Sequence, residues 1–409
     1  MKGSLSKNSH PATDAGCVYA HEIMIYADYN ATTPMDPRVI EVMTRSMREN
    51  FGNPSSSHHG VGQIAAESVE IARQKIANAL EVRSSEIVFT SGATEAINLA
   101  VYGVLARNSI RNDSGRKRLL VSPTEHKAVL ESMNLWASLF GLAVEEIPIN
   151  NDGTIQNKKF KELLSAEDVL LVAIALANNE TGVINPIKEL SELAHEKGAH
   201  FLSDTTQGLG KIPLRLSELD IDLAVISGHK VYGPKGVGAL IGRKKILKNL
   251  PSLQSGGGQE NGLRGGTLNV AAISGFGAAC DYAVADLEIY SSKMQHFSDL
   301  FLAHLQKNVL HISRNGDGAQ LLPNTFNFRF EGADAEAVIN AMTGVAISTG
   351  SACQSAVPSP SHVLTSMGLS HEEAKECLRI SFGRFSEELD IKVLVSELSK
   401  AVEYVRSFS

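Results

Sequence analysis

The sequence predicts an α/β protein: a large domain with a mainly parallel sheet between helices, followed by a smaller α+β domain. Three observations predict it. Short apolar runs rich in Val and Ile alternate with longer amphipathic stretches from about Glu86 to Gly242. A polar cluster closes each of several runs, as loops beyond strand ends do. After about Leu287 the alternation stops, and a long helical pattern, a polar strand and a closing helix take over. Alternation of this kind builds βα units, whose crossovers place helices on both faces of a sheet.

The expected strands are Ile87–Thr90, Leu119–Ser122, Val169–Ala177, His200–Ser203, Leu223–Ser227 and Gly238–Ile241. Helical spacing fills Thr94–Leu105, Lys127–Phe140 and Ile187–Lys197 between them. In the second part a helix is expected through Leu305, a polar strand at Thr325–Phe330 and a last helix after Glu387. The resulting division is a polar arm at 1–22, a large domain at 39–286, and a small domain formed by 23–38 with 287–409.

Composition narrows the function classes. The chain has 409 residues, 43% hydrophobic and 20% charged, the profile of an ordinary globular protein. A formal net charge of -7 supplies no basic field, so direct binding to nucleic acid or acidic lipid is not expected. No apolar run reaches the roughly 20 residues that span a bilayer, and the first 22 residues lack a signal-peptide core. A cytoplasmic protein is the expectation. Its four cysteines, Cys17, Cys280, Cys353 and Cys377, form no CxxC pair, which argues against a zinc site or a disulfide scaffold. Cys17 lies in the arm, and Cys280 and Cys377 fall in helical patterns that read as core.

Five polar clusters follow five apolar runs: Ser-Gly-Ala-Thr, Glu-His, Asn-Asn-Glu, Asp-Thr-Thr-Gln and Ser-Gly-His-Lys. Ligands of open α/β sheets bind beyond the carboxyl ends of the strands, so the clusters mark one site. Lys230 stands directly after a buried strand, where an ammonium must be paired or neutralised. An imine with an aldehyde cofactor removes that difficulty and creates a reactive group. A lone lysine there is ordinarily salt-bridged or reaches solvent, but Lys230 has company. Asp204 ends the preceding run and can keep the ring nitrogen of pyridoxal phosphate protonated. Gln207 and Asn179 can bond the ring oxygen, and His126 offers a flat ring for stacking. The turn into a helix at Ala93 and Thr94 suits a phosphate, with Ser227 and His229 completing the cradle.

Taken in order, Thr-Ser-Gly-Ala-Thr-Glu, Thr-Glu-His-Lys, Asn-Asn-Glu-Thr-Gly, Asp-x-x-Gln and Ser-Gly-His-Lys-x-Tyr-Gly-Pro-Lys-Gly resemble class V aminotransferase-type enzymes. Among these the chain most resembles cysteine desulfurases of the NifS/IscS type, from Asp28 to Phe385. The resemblance implies the fold type I architecture of pyridoxal-phosphate enzymes and a homodimer with sites near the subunit interface. It implies further that Thr267 reaches the phosphate bound by the other subunit. Asn30, Asn179 and Arg379 are then the substrate-side residues, with the Arg379 guanidinium holding a carboxylate through two hydrogen bonds.

Cys353 separates a desulfurase from an aminotransferase. It lies in a hydrophilic Ser-Gly-Ala-Pro-rich stretch, Ser348-Thr-Gly-Ser-Ala-Cys353, without the apolar periodicity of a core cysteine. The stretch resembles the group I motif Ser-Ser-Gly-Ser-Ala-Cys. The implied chemistry removes sulfur from L-cysteine, leaving L-alanine and a persulfide on Cys353. Lys230, Cys353 and His126 are the catalytic set. No metal site is expected, Cys353 being the one residue open to transient iron–sulfur ligation. A sulfur-acceptor protein serving iron–sulfur assembly or nucleic-acid thiolation is the implied partner. Against the resemblance, the C-terminal extension by which housekeeping members dock their scaffold is expected to be missing, which leaves the acceptor open. The rival readings are a selenocysteine lyase or another class V aminotransferase; a non-enzymatic docking hub has no use for Lys230, Asp204 and Cys353.

Overall fold

The computed structural model describes residues 24–111, 115–350 and 360–408. The 1–22 arm and Cys353 lie outside the described residues. The strands, in chain order, are β1 (Ile25–Tyr26), β2 (Ile87–Thr90), β3 (Arg118–Val121), β4 (Ala143–Glu146), β5 (Val169–Ala173) and β6 (His200–Asp204). They continue with β7 (Leu223–Ser227), β8 (Gly238–Gly242), β9 (Ile312–Arg314), β10 (Thr325–Phe330), β11 (Val345–Ala346) and β12 (Cys377–Ser381).

A seven-stranded sheet runs in the order β2-β8-β7-β6-β5-β3-β4. From β7 to β4 neighbouring strands are parallel, while β8 is antiparallel to both β2 and β7. The βα alternation of the sequence suggests no such reversal. Its cause is the short connection after Lys230, which carries no crossover helix and therefore returns the chain antiparallel. Period-2 alternation then serves two cores. On β7, Ala224 and Ile226 pack with the helices Gly60–Leu80, Ile187–Glu196 and Val270–Ala285. Leu223 and Val225 pack on the other face with the helices Ala93–Arg111 and Lys127–Phe140. Burial on both faces explains why these strands read as continuous apolar runs.

The helix Lys127–Phe140 coincides with its sequence signal, since His126 caps its start and Gly141 ends it in the left-handed region at φ 67°. Elsewhere the chain departs from its local pattern. Cys377, expected in a helix, opens β12, because a capped short helix, His371–Lys375, stops just before it. The same register decides the direction of Arg379: Leu378 and Ile380 turn into the small core, so Arg379 faces the opposite side.

That small core sits between the antiparallel sheet β12-β10-β9 and the helices Leu287–Asn308 and Glu388–Arg406. The polar-looking β10 is buried, with its phenylalanines inward and Thr325 and Asn327 toward the large sheet. Phe301 is fully buried with ring centroids 4.7 Å from Phe326 and 5.5 Å from Phe382. Phe301→Ala is expected to cost about 3–5 kcal/mol of unfolding free energy, read from the denaturant midpoint. Among the described residues, no single helix is long and apolar enough to cross a membrane.

Candidate active site

A cavity of about 580 Å³ opens beyond the carboxyl ends of the strands. All five polar clusters reach it. The turn after β2 brings Ala93 and Thr94; the turn after β3 brings His126; the segment after β5 brings Asn179. Asp204 and Gln207 come from the end of β6, and Ser227, His229 and Lys230 from the end of β7. Asn30 and Arg379 close it from the small core's side. The volume falls in the usual range for a small cofactor with its substrate, roughly 300–1,000 Å³.

Lys230 donates from Nζ to the carbonyls of Asn30 at 2.6 Å and Ala31 at 2.8 Å. It thus spans from the large sheet to the segment leading out of β1. Asn30 is a junction: its Nδ2 donates to the Asn179 carbonyl at 3.1 Å and to Thr325 Oγ1 at 2.9 Å. Its Oδ1 accepts from Lys211 Nζ at 2.8 Å and Asn324 Nδ2 at 3.3 Å, and Gln207 Nε2 donates to its carbonyl at 3.1 Å. The Asn30 amide is therefore saturated within the wall of the cavity.

Arg379 is 3% exposed. Its guanidinium donates to Asp28 Oδ1 at 2.6 Å and to the Asn179 carbonyl at 3.1 Å. Its Nε is buried without a hydrogen-bond partner. A guanidinium that lines the cavity could hold an anion. At the far side, Glu95 in the first turn of the helix Ala93–Arg111 is already held by Arg264 at 2.8 Å, so its charge is answered and the helix start can take a phosphate.

Burial pulls the pKa of His126 below its ordinary value, Asp204 opposes the shift, and the charges of Lys230 and His362 add to it. The imidazole is therefore neutral near pH 7. Its Nδ1 accepts from the Ala128 N–H at 3.0 Å, which leaves Nε2 as the nitrogen carrying the proton. Burial also pulls His229 down, to about 4, with Lys230 and Lys235 contributing. The folded chain then binds fewer protons there than the unfolded chain, whose histidine titrates near 6.5. This contribution to stability is complete above about pH 6.5 and is lost as pH falls toward 4. Denaturation midpoints of the cofactor-free protein should drop across that window, and His229→Gln should remove part of the drop.

Three buried charged residues packed behind the cavity lining carried no assigned role in the motif reading. Lys211 lies behind Asn30 and Gln207, its pKa well below normal from burial and from the nearby Lys230 and Arg379. Glu125 is pushed up to about 8 by burial and by Asp204, and its Oε2 has no partner. Glu180 is likewise raised by burial, against the lowering influence of Ser361 and Arg379. The available signal was the charge itself, inside short segments that are otherwise buried. Thr267 is exposed and lies outside the cavity of its own chain.

The donor set fits pyridoxal phosphate: an amine, a carboxylate on the next strand end, a neutral imidazole, a helix start and a held cation around one cavity. Comparison with known proteins agrees. Residues 25–394 match the family model described as aminotransferase class-V. A cysteine desulfurase from Frankia sp. (strain EuIK1) is 44% identical over 395 residues, covering 94% of this chain and 93% of that protein. The chain belongs to the cysteine desulfurases of the class-V aminotransferase family. Enzymes of this family are pyridoxal-phosphate-dependent and have the fold type I architecture described above. Among solved structures, a NifS-like protein superposes with a TM-score of 0.85 at 34% identity, over 93% of this chain and all of that one. A structure described as SspA in complex with cysteine gives 0.78 at 34% identity, over 88% and 99%.

Proposed function

We propose that this cysteine desulfurase family member takes sulfur from L-cysteine, releases L-alanine and holds the sulfur as a persulfide on Cys353. The observation that carries the reading is the meeting of Lys230, Asp204 and Arg379 in one cavity whose wall includes Gly350, three residues before Cys353. The bound cofactor supplies an aldehyde for amine exchange and a ring that accepts electrons from the substrate's Cα. Ala93, Thr94, Ser227 and His229 hold its phosphate, with Thr267 supplied by a partner subunit. Asp204 would keep the ring nitrogen protonated, Gln207 and Asn179 would bond the ring oxygen, and His126 would offer its ring for stacking.

Arg379 receives the substrate carboxylate, with Asn30 and Asn179 fixing its surroundings. Lys230 removes the Cα proton, and the carbonyls of Asn30 and Ala31 aim its amine. The Cys353 thiolate then attacks the substrate Sγ. A sulfur–sulfur bond forms, the Cβ–S bond breaks with its electron pair left on carbon, that carbon is protonated, and return of a proton to Cα completes alanine. One cysteine and one thiol become one alanine and one persulfide, so no external oxidant is required. The persulfide passes to an acceptor protein, for iron–sulfur assembly or nucleic-acid thiolation, in the cytoplasm, where thiols stay reduced.

A homodimer completes the reading. Met47, Phe51, Val61, Ile64 and Ile71 are large exposed apolar residues along the first two helices and their connection, a surface suited to a second copy.

The test is to supply purified holoprotein with L-cysteine and a thiol reductant, and to measure alanine and sulfide. Equimolar products are expected; a keto acid without sulfide would identify an aminotransferase instead. Arg379→Lys is expected to raise KM for L-cysteine by about 10–100-fold, because a lysine cannot offer the paired donors.

A further inference from the structure

The chain on both sides of Cys353 converges on one buried carboxyl. Glu180 is 1% exposed and sits in the Asn178-Asn179-Glu180 segment beyond β5. Its Oε2 accepts a 2.5 Å hydrogen bond from Ser361 Oγ, where the chain leaves the cysteine-bearing stretch. A Cβ placed on Gly350, where the chain enters that stretch, would stand 3.0 Å from the same oxygen. Gly350 has φ +87°, a left-handed conformation that favours glycine, and its N–H donates to Ser348 Oγ at 3.0 Å. The two anchors are therefore built differently. Gly350 lies against the carboxyl by lacking a side chain, and Ser361 is bonded to it.

Each contact has its own support. Ser348 exchanges backbone hydrogen bonds with Arg379, at 2.6 and 3.2 Å, which fixes the incoming chain to β12. The Ser361 hydroxyl also accepts from the Leu364 N–H at 3.2 Å, capping the helix His362–Ser366, so it uses its donor on Glu180 and its acceptor on the helix. His362 then bonds the Glu125 carbonyl at 2.9 Å. Glu180 itself is held: its N–H donates to Asn178 Oδ1 at 2.8 Å, and Asn327 Nδ2 donates to its carbonyl at 3.3 Å. Glu180 thus joins the segment beyond β5 to β10 through its backbone and to both approaches to Cys353 through its carboxyl, close to the cavity that Gly350 and Arg379 line.

We propose that Glu180 is a positioning residue for sulfur transfer, anchoring the chain before and after Cys353 at Gly350 and Ser361. The proposal rests on the desulfurase reading, since only there must a thiol be delivered to a substrate sulfur. Glu180 touches neither cofactor nor reacting atoms in this scheme. It acts by keeping the span between Gly350 and Ser361 constant, and effective molarity depends on such fixed geometry.

The experiment compares Glu180→Gln, Ser361→Ala and Ser361→Thr with the unaltered holoprotein. Two readouts are used: persulfide on Cys353 after one turnover, and the rate of Cys353 alkylation by iodoacetamide without substrate. Cofactor absorbance and the KM for L-cysteine should stay within about twofold, because neither residue is in the cofactor cradle. Persulfide formation should slow about 10–100-fold in Glu180→Gln and Ser361→Ala, and recover in Ser361→Thr, which restores the hydroxyl. Cys353 alkylation should change by at least about threefold as the anchor is released. The Glu180→Gln, Ser361→Ala double variant should be no slower than the worse single one, since Gln weakens and Ala removes the same contact. Unchanged persulfide and alkylation rates in the single variants, or losses that multiply in the double, overturn the proposal. If Glu180→Gln does not fold, the two Ser361 variants and Gly350→Ala decide it by the same readouts. Absence of persulfide in the unaltered protein defeats the desulfurase reading instead, and the alkylation rates then judge the anchor alone.

Discussion

Lys230→Ala protein should bind pyridoxal phosphate without retaining it through gel filtration, and its turnover of L-cysteine should fall about 10³–10⁴-fold. The size of the effect follows from the double duty assigned to one amine. As the covalent tether it supplies the retention that phosphate and ring contacts alone do not. As the proposed base at Cα it would perform a proton transfer that water does slowly. In the structure, Nζ donates to two carbonyls of the Asn30–Ala31 segment, 2.6 and 2.8 Å away. Added small amines should restore part of the turnover without restoring the tether, which separates base from anchor. A Lys230→Ala protein that keeps the visible absorbance of a covalently bound cofactor would sink the assignment.

Cys353→Ala should give the opposite pattern. The cofactor absorbance stays, since no residue of the cradle changes, while persulfide disappears and sulfide release falls by about 10³-fold or more. A serine in its place should do no better, because a hydroxyl is neither as acidic nor as nucleophilic toward sulfur. The substrate's carbon skeleton can still lose its Cα proton in this variant, so exchange of that proton with deuterated solvent should persist when sulfur transfer has ceased. Loss of both together would place Cys353 in the cofactor site rather than after it. Paired with Lys230→Ala, the two variants divide the reaction at the point where sulfur leaves the substrate.

Much of the fold was legible because its signals are local. The helix Lys127–Phe140 is bounded by its own cap residues, and β7 by the change from Leu223-Ala-Val-Ile-Ser to Gly-His-Lys. Convergence of the five polar clusters was legible for the same reason, since strand ends of a parallel sheet share one edge. Where local signal and long-range pairing compete, the pattern misleads. Cys377 reads as part of a helical pattern, yet it opens a strand that pairs with β10 in the small sheet. Direction in β8 is set by the short connection that precedes it, and nothing within Gly238–Gly242 encodes that.

Sequence alone determined the chemistry that can occur here: a lysine, an aspartate and a phosphate-ready helix start at strand ends, and a cysteine in a stretch without core periodicity. Those are properties of residue type and local spacing. Tertiary structure decided which of them act on one another. It turned Arg379 inward by seating Leu378 and Ile380 in the opposite core, and it saturated Asn30 with partners from Asn179, Lys211, Asn324 and Thr325. It also brought Gly350 and Ser361 onto the carboxyl of Glu180, a residue distant from both along the chain. Burial is the physical reason. Whether a charged side chain is an exposed solubiliser or a fixed part of a site depends on what covers it, and the cover comes from segments far away in sequence.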